Sequence, residues 1–215
     1  MGHEYNKKYT KVKSYFGRKP DPVIEQYYHK LDKTGRVLDI GIGQGRNALF
    51  LARHGYTVDG IDPAAVSADQ VSMIAALEKL PINTFKSSFD LFDPPVKTYS
   101  GILLCGVIQV LSRDLIDVLM KRIRQWTGKG SLVFAAAFTT DCPTLPGYTR
   151  EWQTLGKNSF TNKEGNVRTF LEKGEILTLF KGFKVLHHWE GLGPKHRHGD
   201  GPIEQHGMTE LVGQL

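Results

Sequence analysis

The sequence predicts an α/β fold: a doubly wound, mostly parallel sheet of six or seven strands with helices on both faces. Three observations carry the prediction. Short apolar runs alternate with segments of helical spacing along roughly the first two thirds of the chain, as strand-helix repeats require. One run, "GILLCGVI" at 101–108, is apolar throughout, as a strand buried on both faces should be. A glycine-rich turn joins the first strand directly to a helix.

In chain order, "PDPVIEQYYHKL" places Asp21 as an N-cap and Pro22 at the first helical position, with Val23, Ile24, Tyr27, Tyr28 and Leu31 at helical spacing. "RVLDI" reads as the first strand, "GRNALFLARHG" as a helix closed by Gly55, and "TVDGI" as the second strand. A helix over 63–79 and a third strand, "INTFKSS", come next. "GILLCGVI" is the fourth strand, "SRDLIDVLMKRIRQW" a helix capped by Ser112, and "GSLVFAAAF" the fifth strand. Residues 139–170, rich in Thr, Gly, Pro and Asn, read as a long irregular excursion of the kind that often carries function. "KGEILTLFKG" and "FKVLHHWEG" supply a last helix and a sixth strand, and "MTELVGQL" is open between a seventh strand and a tail. No internal repeat occurs.

The chain has 215 residues, 40% of them hydrophobic, enough for one sizeable core. Its formal charge of +6 suits a small anionic substrate, nucleic acid or a membrane surface equally. Much of that excess lies at Lys7, Lys8, Lys11, Lys13, Arg18 and Lys19 and on one helix end at Lys121, Arg122 and Arg124. No basic run is long or aromatic enough to be a nucleic-acid footprint, so neither nucleic acid nor a membrane is the expected partner, and charge alone does not choose the small molecule. The polar N-terminal stretch and the lack of a run of eighteen apolar residues predict a cytoplasmic protein, monomeric or homodimeric. Cys105 and Cys142 are too few for a disulfide framework and are expected as reduced thiols, Cys105 buried.

The strongest local signal is "VLDIGIGQGRN". Gly41, Gly43 and Gly45 let a ligand approach the backbone, and the helix that follows offers its free N–H groups to an anion. A dinucleotide would need G-x-G-x-x-G, and Arg46 stands where the third glycine should be. Asp62 ends the second strand, where an acid takes both hydroxyls of a nucleoside ribose; it also suits a cap before Pro63.

An acid followed by G-x-G-x-G resembles the first motif of class I S-adenosylmethionine-dependent methyltransferases, whose fold is Rossmann-like. The resemblance implies that Asp39 meets the cofactor's ammonium and that Arg46 pairs with its carboxylate, unless Arg46 is only a solvated first-turn residue. It further implies that Asp90 accepts from the adenine amino group, that the Leu91 backbone meets the ring, and that Cys105 lines the pocket. Cys105 has no base near it in sequence and is not a nucleophile, nor is one needed to attack a sulfonium. "DPPV" at 93–96 precedes the fourth strand, the wrong side for an amino-methylating motif, and reads as a turn.

More broadly, "GRVLDIGIGQGRNALFLARHGYTVDGID", "FDLFD", "AAAFTTD", "GEILTLF" and "KHR" resemble the tellurite-resistance methyltransferases of the TehB type. That resemblance implies methylation of a chalcogen oxyanion such as tellurite or selenite, with S-adenosylhomocysteine as product and His196 and Arg197 holding the acceptor. "SYFGRKPDPVIEQYY" resembles a lid, so residues 1–34 are expected as a lid segment and first helix and 35–215 as the methyltransferase domain. Tyr15 would cover the site together with Phe16, Arg18 is a second anion holder, and His198 and Asp200 support the clamp. An organic thiol, amine or hydroxyl acceptor would instead use His196 or His198 as general base. A non-enzymatic metal protein would draw on His187, His188, His196, His198, Asp200 and His206, but their spacing matches no closed zinc pattern and no metal is expected. His187, His188 and His206 are expected as surface decoration.

Overall fold

The computed structural model describes residues 2–215, with side chains from Tyr5 onward. The chain opens with α1 (Gly2–Lys11) and α2 (Pro22–Tyr27), then builds β1 (Arg36–Ile40), α3 (Arg46–Arg53), β2 (Thr57–Ile61), α4 (Ala65–Glu78) and β3 (Ile82–Phe85). β4 (Tyr99–Cys105), α5 (Arg113–Trp126) and β5 (Thr127–Phe138) complete the alternating half. Beyond it come α6 (Leu145–Glu151), β6 (Gln153–Gly156), β7 (Ser159–Thr161), β8 (Val167–Thr169) and α7 (Glu175–Leu179). The chain closes with β9 (Lys184–Leu192), the short β10 (His196–Arg197) and β11 (Ile203–Glu204), and β12 (Gly207–Gln214).

The central sheet has seven strands in the order β3-β2-β1-β4-β5-β12-β9. Its first five strands are parallel, and β12 runs antiparallel to both neighbours, so "MTELVGQL" is the seventh strand. β4 is buried on both faces, as its unbroken apolar run requires. Ile102 and Leu104 pack with Ile116, Leu119, Ile123 and Trp126 of α5, while Leu103, pointing the other way, packs with Leu51 of α3 and Val23 and Ile24 of α2. Helices therefore cover both faces. Among the described residues, no helix is long and apolar enough to cross a membrane.

Two expectations need correction. Residues 139–170 are not irregular: after α6, the strands β6, β7 and β8 form a separate antiparallel sheet. Phe160 and Phe170 anchor this unit in a small apolar cluster with Cys142, flanked by Tyr148 and Trp152. Its polar composition hid strands of only three or four residues. The cysteines differ from expectation in one respect: both are free, but Cys105 is only partly buried, while Cys142 is fully so.

An ionic network braces the sheet away from the glycine turn. Asp59 on β2 accepts from Arg36, from Asn83 Nδ2 at 2.9 Å and from the Tyr99 hydroxyl at 3.1 Å. Burial pushes the Asp59 carboxyl up, but these donors outweigh it and hold it below the usual carboxylate range. Asp59→Ala should leave the Arg36 charge and two polar partners unanswered, lowering stability in urea unfolding by about 3 kcal/mol.

Candidate active site

β1 lies at the point where the strand order reverses, and its glycine turn faces the end of β4. All three turn glycines have positive φ: 70° at Gly41, 51° at Gly43 and 79° at Gly45. A Cβ on Gly45 would lie 2.7 Å from Val71 Cγ2 of α4, so that residue also admits close packing of helix on loop. Asp62 holds the turn: its Oδ2 accepts the Gly43 N–H at 2.9 Å and its Oδ1 the Ala64 N–H at 2.7 Å. The N-cap of α4 is Ala64, so Asp62 fixes the approach to the helix without being its cap. Burial pushes its carboxyl up despite these bonds.

Asp39 is buried at 3% exposure and accepts from the Ala48 backbone in the first turn of α3. Burial first, then the nearby carboxylate of Asp21, raises its pKa to about 8, against the lowering effect of Arg46. Arg46 is no solvated residue: its Nη2 meets Asp21 Oδ1 at 2.6 Å and its Nη1 the Phe16 carbonyl at 3.4 Å. Asp21 and Asn47 exchange two further bonds of 2.9 Å each, so Asp21 sits at the expected N-cap position but spends its side chain on α3. The Cys105 thiol is pushed up by burial and by Asp21 and Asp39, which keeps it protonated and unreactive.

The N-terminal segment closes over this turn. The Tyr9 hydroxyl lies against Gly43, 3.1 Å from where a Cβ would stand, and its ring is buried. Gln44 ties the segment down, accepting the Tyr15 N–H at 2.7 Å and donating to the Val12 carbonyl at 2.8 Å. Tyr15 and Phe16 turn outward to His198, with ring centroids 5.5 Å and 4.9 Å away. Arg18 faces elsewhere, into a cleft of about 450 Å³ that it lines with Lys13, Arg46 and Gln70.

The histidine-rich stretch forms a two-stranded ribbon, β10 against β11. Strand alternation sends His196 and Arg197 to opposite sides; His196 turns toward His198 and His206, whereas Arg197 is exposed. His206 is not surface decoration, since it is 7% exposed and stacks on Phe138 at 4.3 Å. His187 and His188 lie on β9, half-buried, near Glu210 at 3.8 Å and Glu190 at 3.5 Å respectively. Asp200 is exposed in the ribbon's turn.

Residues 5–199 match the family described as tellurite resistance protein TehB. The chain belongs to the TehB family. A relative from Haemophilus influenzae, named as a probable S-adenosyl-L-methionine-dependent methyltransferase TehB, is 27% identical over 188 residues, 83% of this chain and 61% of the relative. The crystal structure of TehB from Haemophilus influenzae superposes with a TM-score of 0.67 at 21% identity, covering 89% of this chain and 60% of that one. A methyltransferase from Methanosarcina mazei superposes with a TM-score of 0.73 at 16% identity, covering 91% of this chain and 98% of that one. The chain spans only 50% to 61% of the length of the first curated relatives it matches.

Within this TehB-family chain, Asp39, the three glycines, Arg46, Asp62 and Cys105 gather at the carboxyl ends of β1, β2 and β4. Asp90 and Leu91 do not join them by any described contact. The Asp90 carbonyl accepts from Arg122, nine residues and about 13 Å along α5 from the end that faces the turn, and Leu91 is 78% exposed. The "FDLFD" turn instead buries Phe89. Tyr9, Gln44 as a tether and Asp21 as the partner of Arg46 lay outside what the motifs made legible in the sequence. Of these only Gln44 carried a signal, as the residue between the second and third glycines.

Proposed function

We propose that this chain transfers a methyl group from S-adenosylmethionine to a small anionic acceptor, a chalcogen oxyanion such as tellurite or selenite, releasing S-adenosylhomocysteine. The observation that carries the cofactor is Asp39, a carboxyl buried at the glycine turn and raised to about 8, with no cation bonded to it among the described residues. Such a group fits an entering ammonium, which would repay its lost hydration. Asp62 spends one lone pair per oxygen on Gly43 and Ala64 and keeps others for ribose hydroxyls. Arg46 keeps N–H groups beyond its bond to Asp21 for the cofactor's carboxylate.

The cofactor supplies an electrophilic methyl on a sulfonium, so the chain's residues need only position the acceptor and exclude water. Residues 1–34 serve as the lid in this reading, with Tyr9 and Gln44 sealing the turn of the domain 35–215. His196 meets the acceptor from the inner side of the ribbon, Tyr15 and His198 wall the site, and Arg197 on the opposite side, with Arg18 in its separate cleft, supplies positive charge that draws anions in. Burial, with the charge of His196, pushes His198 down to about 4, so it holds the acceptor as a neutral imidazole rather than a cation. A second reading has an organic thiol, amine or hydroxyl as acceptor and His198 or His196 as general base, His198 being already unprotonated at neutral pH. Two free cysteines agree with a reducing, cytoplasmic setting.

The deciding experiment incubates chelator-treated protein with labelled S-adenosylmethionine and tellurite, selenite, small thiols and small amines. Methylated chalcogen product is expected. Product from organic acceptors alone would overturn the oxyanion reading, and absence of S-adenosylhomocysteine binding by calorimetry would overturn both.

A further inference from the structure

The ribbon brings together three imidazoles whose sequence spacing resembles no metal motif. His196 Nε2 and His198 Nε2 stand 3.1 Å apart, and a ring nitrogen of His206 completes a group lying within 4.8 Å of one another. Ligand nitrogens about 2.0–2.1 Å from a tetrahedral zinc ion are about 3.3 Å apart, so small side-chain rotations close the set.

The surroundings are those of ligands. His196 Nδ1 lies 3.0 Å from the Pro194 carbonyl, which can only accept; Nδ1 therefore carries the proton and Nε2 presents its lone pair to the cluster. His206 Nδ1 is held by Cys142 Sγ at 3.5 Å, while its Nε2 is buried without a hydrogen-bond partner. Glu204 Oε2 lies 3.4 Å from that Nε2 and 4.0 Å from His198 Nε2, but without hydrogen-bond geometry to His206. A buried imidazole nitrogen facing two others and a carboxylate costs free energy unless something answers it.

We propose that His196, His198 and His206 bind a divalent transition-metal ion of the zinc class, with Glu204 as the carboxylate beside it. Three imidazoles and one carboxylate suit borderline metals rather than magnesium or calcium. The Pro194 carbonyl and Cys142 orient the rings from behind, as outer partners of metal-bound histidines do. Three protein nitrogens leave a position for Glu204 or for a bound anion. The alternative is a hydrogen-bonded pair, with His198 donating its Nε2 proton to His196.

The test uses the untagged full chain, stripped with chelator and titrated with Co²⁺ while visible absorption is followed, then with Zn²⁺ in competition. One equivalent of Co²⁺ should bind at micromolar concentration with the intense bands of a tetrahedral site, and Zn²⁺ should displace it. His198→Gln and the less buried His196→Gln should each weaken Co²⁺ binding at least tenfold, while His187→Gln should leave it unchanged. Calorimetry of S-adenosylhomocysteine on the same samples reads the cofactor turn independently and verifies that each variant is folded. Absence of stoichiometric binding to the wild type would overturn the proposal, as would binding that survives both substitutions.

Discussion

Asp39→Asn should cost the protein its cofactor while making the free protein sturdier at alkaline pH. With its pKa near 8, Asp39 is largely protonated at neutral pH in the free protein, and an amide of the same shape replaces it without a cavity. An ammonium, however, needs the carboxylate. Losing that charge-assisted bond should weaken S-adenosylhomocysteine binding between about tenfold and a hundredfold. The wild type should also show a pH signature. Binding a cation favours ionised Asp39, so affinity should rise about tenfold per pH unit toward pH 8 and level off above it, while Asp39→Asn stays flat. For stability the sign is opposite. A carboxyl raised on folding contributes most below its unfolded value near 3.8, and its contribution fades as pH rises through 8. The melting temperature of the free wild type should accordingly fall across that window relative to the variant. Calorimetry and thermal scans at pH 6, 7, 8 and 9 check both halves; affinity independent of pH in the wild type would remove Asp39 from the cofactor site.

Asp62 should behave differently, because it belongs to the scaffold as well as to the ligand. Asp62→Ala strands the buried N–H groups of Gly43 and Ala64, at about 1–3 kcal/mol for each unsatisfied group, and the turn loses its anchor. Cofactor binding should become undetectable and urea unfolding should shift to lower concentration. Asp62→Asn keeps one acceptor oxygen, answering one of the two N–H groups, and should recover up to about half of the lost stability, yet bind S-adenosylhomocysteine at least about tenfold more weakly, since an amide cannot accept from both hydroxyls of a ribose. Stability and affinity recovering together in Asp62→Asn would mean that Asp62 only holds the loop.

The placement of these two residues, buried beside the glycine turn, was readable from the sequence for a physical reason. An acid on a strand next to three glycines, and another where the next strand ends, are placed by local chain geometry, and local geometry is what periodicity and turn chemistry report. The five parallel strands were legible on a similar basis: β4 and the second half of β5 are compact apolar runs, the shorter β1 and β2 fall between helical segments, and β3 follows one. Asp90 lies where that logic is weakest: its turn points Phe89 inward, and nothing in "FDLFD" tells which residue of a short turn will be buried. The histidines failed it for a different reason. His206 meets His196 only because β12 enters the sheet between β5 and β9 and brings the ribbon back on itself, a long-range consequence invisible to spacing. The same limit concealed Asp21, whose side chain answers Arg46 from 25 residues away.

The stack of Tyr15 on His198 is reinforced by the Gly199 N–H donating to the Tyr15 carbonyl at 3.1 Å, while the Tyr15 N–H is held by Gln44 at 2.7 Å. One residue thus joins the glycine turn to the histidine ribbon. In the lid role proposed for it, the segment that would swing aside to admit a nucleoside is also a wall of the space where an acceptor would sit. On that proposal, loading opens part of the acceptor's enclosure and closure rebuilds it, so the expected order of entry is the nucleoside first and the acceptor second.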